Sequence, residues 1–333
     1  PEKGTVLTSF DHLAYRTSTR EAFEKANAKL ERQGKPCDPG CVISLDRGYP
    51  LVCTPRATER AELATSIKKS DDSIVAVGDW VALHQPRHHE KAVIECVLPR
   101  RNEIMRVKRI GRERQPRRQV LAANVDIVLI CQSLTGDGID EGLLVRQMVA
   151  VAGCKAAPVF VLTKGDMVDD AVIEATCERI GRIAPDVPLF VVSVDDSASI
   201  DRLRGVFSPF TTGLLLGESG VGKSSLVNAL LGEQALATGD VRASDDKGRH
   251  TTVARRMIEL PGGGLVIDAP GLRTLQILDM EASLKLAFED IAQAALGCRF
   301  RDCTHGDEPG CGVRDAIAPE RLEAYRRLLS SGR

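Results

Sequence analysis

The 333-residue chain contains no apolar stretch approaching the ~20 residues that a membrane-spanning helix needs. It has almost no net charge, with 45 basic against 46 acidic side chains, so any attraction to nucleic acid must come from a local patch. Internal repeats and low-complexity tracts are also missing, which argues against a solenoid or a disordered tail. The first residues, Pro1-Glu2-Lys3-Gly4, open no signal-peptide pattern. Seven of the ten cysteines are scattered singly, and without an export signal they are expected as reduced thiols in a cytoplasmic protein. Among them Cys37, Cys41 and Cys53 lack a fourth partner and are expected to pack as small apolar groups. The length allows two or three domains with sizeable cores, and the composition, 43% hydrophobic and 27% charged, is that of a soluble globular protein.

What is present begins with residues 217–224. They read Gly-Glu-Ser-Gly-Val-Gly-Lys-Ser, directly after the apolar run Leu214-Leu215-Leu216 and before the helix-compatible Ser225-Leu226-Val227-Asn228-Ala229-Leu230. A buried strand, a glycine-rich turn and a helix start form a loop whose N–H groups close around the β- and γ-phosphates of a nucleotide. Lys223 is expected to reach those phosphates and Ser224 to offer its hydroxyl to Mg²⁺.

The texture of the chain changes along its length. Residues 1–36 read as a polar helical extension, with Ser18-x-x-Glu21 resembling a capping box. Residues 37–112 contain short β-rich pieces such as 41–45, 74–77, 80–83 and 92–98, which suggest a small barrel. From Arg100 to Arg118 nine basic residues stand against Glu103 and Glu113, either a solvated face or a footprint for a phosphate backbone. The stretch 111–118 reads as a linker. Residues 119–276 alternate apolar runs (125–130, 158–162, 187–192, 214–216, 265–267) with helical segments, the pattern of a parallel α/β sheet. Residues 277–333 are expected to be helical, over 281–295 and 319–330, around a cysteine cluster.

Three further elements sit at strand ends of the α/β region. Asp268-Ala269-Pro270-Gly271 follows Leu265-Val266-Ile267; the acid suits Mg²⁺ and the Gly271 N–H a γ-phosphate. Thr163-Lys164-Gly165-Asp166 resembles the N-K-x-D element with which GTPases read guanine, Asp166 accepting from N1–H and the 2-amino group, but Thr163 replaces Asn. Ser193 ends the next strand and suits a further guanine-contacting loop. Base-reading elements thus precede the phosphate loop, the reverse of the usual order, and the region looks like a circularly permuted GTPase. Between the phosphate loop and Asp268 lies Lys247-Gly248-Arg249-His250-Thr251-Thr252, whose threonines can complete a metal shell.

Cys298, Cys303, His305 and Cys311 fall within fourteen residues. Three thiolates and an imidazole suit a closed structural zinc site, with buried or redox-active thiols as the alternative. A barrel, a permuted GTPase and a Cys-Cys-His-Cys cluster, in that order, resemble the RsgA (YjeQ) family of small-ribosomal-subunit-dependent GTPases. Gly78-Asp79-Trp80-Val81 and Gly248 to Thr252 add to the motifs already quoted, and the resemblance covers roughly residues 37–330.

The resemblance implies an N-terminal OB-fold barrel, a central circularly permuted P-loop GTPase domain and a C-terminal helical zinc-binding domain. It implies GTP hydrolysis stimulated by the small subunit, late maturation of that subunit, and contact with its rRNA. The GTP contacts expected are Thr163, Lys164, Gly165, Asp166, Ser193, Gly217, Glu218, Ser219, Gly220, Val221, Gly222, Lys223, Ser224, Ser225, Asp268 and Gly271. Ser224, Thr251, Thr252 and Asp268 are the magnesium candidates. Leu272 occupies the place where many GTPases carry a water-orienting Gln, so His250 is the catalytic candidate, as the resemblance also suggests. A monomer is expected. Competing readings are an RNA-binding scaffold that holds GTP structurally and a P-loop ATPase.

Overall fold

In this computed structural model the described residues are 9–46, 49–68, 75–87, 90–108, 117–135, 138–233, 236, 255–269 and 272–331. His250, Thr251, Thr252, Gly271, Arg109, Arg112 and Arg114 lie outside them. After a short 3-10 turn (Phe10–His12) come α1 (Thr17–Glu31), β1 (Cys37–Asp46), β2 (Tyr49–Cys53), β3 (Thr58–Leu63), α2 (Thr65–Lys68), β4 (Trp80–His84) and β5 (Ala92–Val97). Then come β6 (Glu103–Lys108), β7 (Arg117–Ala123), β8 (Ile127–Ser133), α3 (Glu141–Gly153), β9 (Ala157–Thr163), α4 (Asp170–Ile183), β10 (Leu189–Val192) and α5 (Ser197–Arg204). The remainder is β11 (Thr212–Leu216), α6 (Lys223–Leu231), β12 (Arg255–Glu259), β13 (Leu265–Asp268), α7 (Met280–Ala287), α8 (Glu289–Ala295), α9 (Gly312–Ala316) and α10 (Pro319–Ser331). The contacts divide the chain into two units: Pro1–Ile127, Ile200–Leu215 and Gly222–Leu272 in one, Val128–Ser199, Leu216–Val221 and Arg273–Arg333 in the other.

In the first unit β1-β2-β3-β5-β4 pair in that order and β4 returns to β1, closing a five-stranded barrel. The parallel β3–β5 pair among otherwise antiparallel neighbours gives the strand order of an OB-fold. Alternate side chains fill the interior: Val42, Val52, Ala61, Val81, Ala92 and Ile94 are fully buried. Cys41 and Cys53 face one another across β1–β2, buried as free thiols. Asp79, from the Gly78-Asp79-Trp80-Val81 motif, is buried and receives the guanidinium of Arg100 at 2.7 and 2.8 Å; burial nonetheless pushes its carboxyl up.

The expected capping box is corrected. Helix α1 starts at Thr17 behind Arg16, so Ser18 lies inside the first turn rather than at the cap. The linker expected over 111–118 is corrected at its end, since Arg117 and Arg118 belong to β7, which pairs antiparallel with β6; residues 111–116 lie outside the described residues. β11 runs parallel to β13, β13 antiparallel to β12, and β12 antiparallel to β1, with Ser44 opposite Arg256 and Leu45 opposite Arg255.

The second unit holds the sheet order β10-β9-β8, with β9 and β10 parallel. Helix α3 supplies the buried Leu144, Met148 and Val151 and packs on α7; Gln147 accepts the Leu275 N–H at 2.7 Å. The helix expected over 281–295 breaks into α7 and α8 at Phe288, whose φ of −128° leaves the helical range. Its ring is 1% exposed, set edge-on to Tyr325 with the Arg321 guanidinium 4.7 Å above. Burying that ring outweighs one uninterrupted helix.

Candidate functional site

The phosphate loop forms as its residue types require. All five residues of β11 are buried, and the chain turns immediately after them. A β-carbon at Gly217 would collide with the carbonyl oxygen of Cys131, so only glycine fits there. Gly222 holds φ +89° at the N-cap of α6, which opens at Lys223. Lys223, Ser224 and Ser225 are therefore first-turn residues, where N–H groups lack intrahelical acceptors and the helix dipole favours an anion. Glu218, Ser219 and Gly220 are exposed. Asp268 ends β13, one residue past the Leu214–Ile267 pairing, so it lies on the strand neighbouring the one that feeds the loop.

In the second unit the base-reading candidates occupy adjacent strand ends. Val192 lies opposite Thr163 across β9 and β10, which brings Ser193 alongside the turn Lys164-Gly165-Asp166. Lys164 takes φ +60°, and Asp166 follows it, exposed. Ser193 is 9% exposed; its N–H donates to Ser199 Oγ at 3.3 Å and its carbonyl accepts from that hydroxyl at 3.2 Å, which fixes the loop after β10. The Thr163 hydroxyl donates to the Val221 carbonyl oxygen at 2.6 Å and lies 3.2 Å from the Gln132 carbonyl oxygen. This tie between the turn and Val221 of the phosphate loop has no sequence signal beyond a hydroxyl-bearing residue in place of the amide.

The thiolate cluster also lies in the second unit. The ligand atoms of Cys298, Cys303, His305 and Cys311 all fall within 4.8 Å of one another. His305 Nδ1 is 3.6 Å from Cys298 Sγ and 3.7 Å from Cys311 Sγ. A tetrahedral ion with Zn–S of ~2.3 Å and Zn–N of ~2.0–2.1 Å separates sulfur from nitrogen by ~3.6 Å, so the donor set fits zinc. Cys311 is buried and caps α9, its sulfur accepting the Arg314 N–H at 3.5 Å. Nearby, Glu308 accepts from the Thr304 N–H and hydroxyl, which hold its carboxyl down at about 2.

A cavity of about 480 Å³ in the second unit, lined by Asp140, Arg146, Arg179, Glu320 and Leu328 among others, contains none of these residues. No helix among the described residues is long and apolar enough to cross a membrane.

The profile described as RsgA GTPase matches residues 97–278. A small ribosomal subunit biogenesis GTPase RsgA from Streptomyces avermitilis is 40% identical over 299 residues, covering 87% of this chain and 78% of its own. A protein of the same name from Methanosarcina acetivorans is 39% identical over 297 residues, with 87% and 78% covered. The crystal structure of YjeQ from Thermotoga maritima superposes with a TM-score of 0.67 at 25% identity, over 88% of this chain and 98% of that one. YloQ, a circularly permuted GTPase, superposes with a TM-score of 0.64 at 22% identity, covering 89% and 94%, and so shares the fold.

Proposed function

The chain belongs to the RsgA GTPase family, and from that premise we propose that it hydrolyses GTP to GDP and phosphate while maturing the small ribosomal subunit in the cytoplasm. The observation that carries the reading is the Thr163–Val221 hydrogen bond. It joins a turn suited to guanine with a loop suited to phosphates, and one nucleotide needs both. The GTP contacts we assign are Lys164, Gly165, Asp166 and Ser193 toward the base, and Gly217 to Ser225, Asp268 and Gly271 toward the phosphates. Ser224 and Asp268, with Thr251 or Thr252, would hold Mg²⁺, which neutralises charge on the β- and γ-oxygens when bound. His250 is assigned to orient water, because Leu272 has no hydrogen-bonding group for it. Cys298, Cys303, His305 and Cys311 would hold one structural zinc ion.

The barrel and the basic residues from Arg106 to Arg118 support contact with rRNA of the subunit, whereas Arg100 and Arg101 are held by Asp79 and Asp126. Phosphate release from GTP and ATP, measured with and without purified small subunits, tests the proposal. GTP alone should turn over, and the subunit should accelerate it. Turnover indifferent to the subunit would favour the scaffold reading, and comparable ATP turnover the ATPase reading.

A further inference from the structure

Resting on the GTP reading of this site, we infer that Thr163 is a positioning residue that ties the base-reading turn to the phosphate loop and makes no hydrogen bond to the guanine. A threonine hydroxyl carries one proton and two lone pairs. Here the proton has a close acceptor, the Val221 carbonyl oxygen at 2.6 Å, with the Gln132 carbonyl oxygen at 3.2 Å as the other neighbour. Carbonyl oxygens only accept, so the proton is committed whichever of the two takes it. The guanine edge beyond Asp166's reach offers N7 and O6, both acceptors. A hydroxyl whose proton is spent has nothing to give them.

Burial points the same way. Thr163 is 5% exposed, and its own carbonyl accepts the Leu134 N–H at 2.8 Å, so the residue is held at the end of β9 rather than presented to a ligand. Asp166 and Met167, three and four residues on, are exposed, Met167 at 63%. The surface available to a base therefore begins after Thr163. An asparagine in its place carries two N–H donors, enough to serve the Val221 carbonyl and still offer one to N7. This chain thus keeps the tie to the loop and gives up any N7 contact from that position.

The test uses the full chain and the dissociation constants of GDP and 7-deaza-GDP, which lacks the N7 acceptor, for wild type, T163V, T163S and T163N. T163V should weaken both nucleotides by the same factor, about two- to tenfold, the scale of one neutral hydrogen bond. T163S should restore wild-type binding of both. The ratio of the two constants should be the same in wild type and T163V, and T163N should bind GDP better relative to 7-deaza-GDP than wild type does. A ratio that falls toward one in T163V would show that Thr163 reads N7 and overturn the inference. Unchanged affinities in T163V would overturn the positioning role. If T163V lost its cooperative melt, T163N would decide alone, and an unshifted ratio there would count against the inference. Wild-type chain that bound neither nucleotide would instead overturn the GTP reading itself.

Discussion

Lys164 adopts φ +60° and ψ +38°, a left-handed conformation that costs a non-glycine residue about 1–3 kcal/mol and persists only where its surroundings enforce it. The turn it makes, closed by the Met167 N–H on the Lys164 carbonyl at 3.0 Å, brings Asp166 to the surface just past β9. An exposed carboxylate there suits paired donors on a ligand. Asp166→Asn should therefore weaken GTP binding by about two to four orders of magnitude, the scale of two hydrogen bonds to a charged group at ~1.5–3 kcal/mol each, and shift preference toward xanthosine nucleotides. Nucleotide competition checks it, and an unaltered GTP affinity would remove Asp166 from the base site. Much of this was legible, because strand, turn and acid are contiguous in the chain. The Thr163 tie was not, since its acceptor lies 58 residues away and a carbonyl leaves no trace in a side-chain pattern.

Among the elements, α10 is tied to α8 through a buried guanidinium. Arg321, 4% exposed, donates to Asp290 of α8 at 2.7 Å through both Nε and Nη2 and to the Ile183 carbonyl at 2.8 Å. Arg321→Ala should cost about 2–3 kcal/mol, below the ~3–5 kcal/mol for breaking a fully buried pair because Asp290 stays about a third exposed. Arg321→Lys should recover little of it, since one ammonium cannot satisfy the fork, and thermal melting separates the variants. Burial raises the Asp290 carboxyl, but Arg321 outweighs it and the net shift is down. Its contribution is therefore present above the ordinary aspartate range near pH 4 and fades as pH falls through the lowered value, an acid dependence that Arg321→Ala should lose.

The thiolate cluster makes a parallel demand on the same helical region. Chelation, or Cys303→Ser, should lower the melting temperature and expose the segment after Ala295 to protease, while a metal-free chain of full stability would contradict a structural zinc. Ligand spacing made this cluster readable. The β6–β7 hairpin was hidden, because a bulge between Ile104 and Met105 breaks the alternation of a strand already crowded with charge.

On the scale of the whole chain, sequence segments and contacts part company. The barrel was legible as a run of short strands, but its pairing with β12 joins residues more than two hundred positions apart and leaves no local pattern to read. A lone acid in the apolar run 125–130 was the available hint. Asp126 accepts Arg16 and Arg101 at 2.7 Å and the Thr212 N–H at 2.9 Å, joining the N-terminal extension and the chain after the barrel to the start of β11. Within this unit β12 begins three residues after Thr252, one of the magnesium candidates, and it is hydrogen-bonded to barrel strand β1. A change of nucleotide therefore has a short covalent and hydrogen-bonded path to the barrel.

Small subunits should accordingly bind the GTP-analogue form more tightly than the GDP form, as measured by co-sedimentation, and equal affinities would remove the gating. Neutralising Arg106, Lys108 and Arg109 together should weaken binding and reduce the log–log salt slope by roughly one unit per lost phosphate contact, with intrinsic hydrolysis intact. The two outcomes are separable. An unchanged slope would show that these cations do not touch the RNA backbone, whereas equal affinities with a steep slope retained would show that contact with the RNA does not depend on the bound nucleotide.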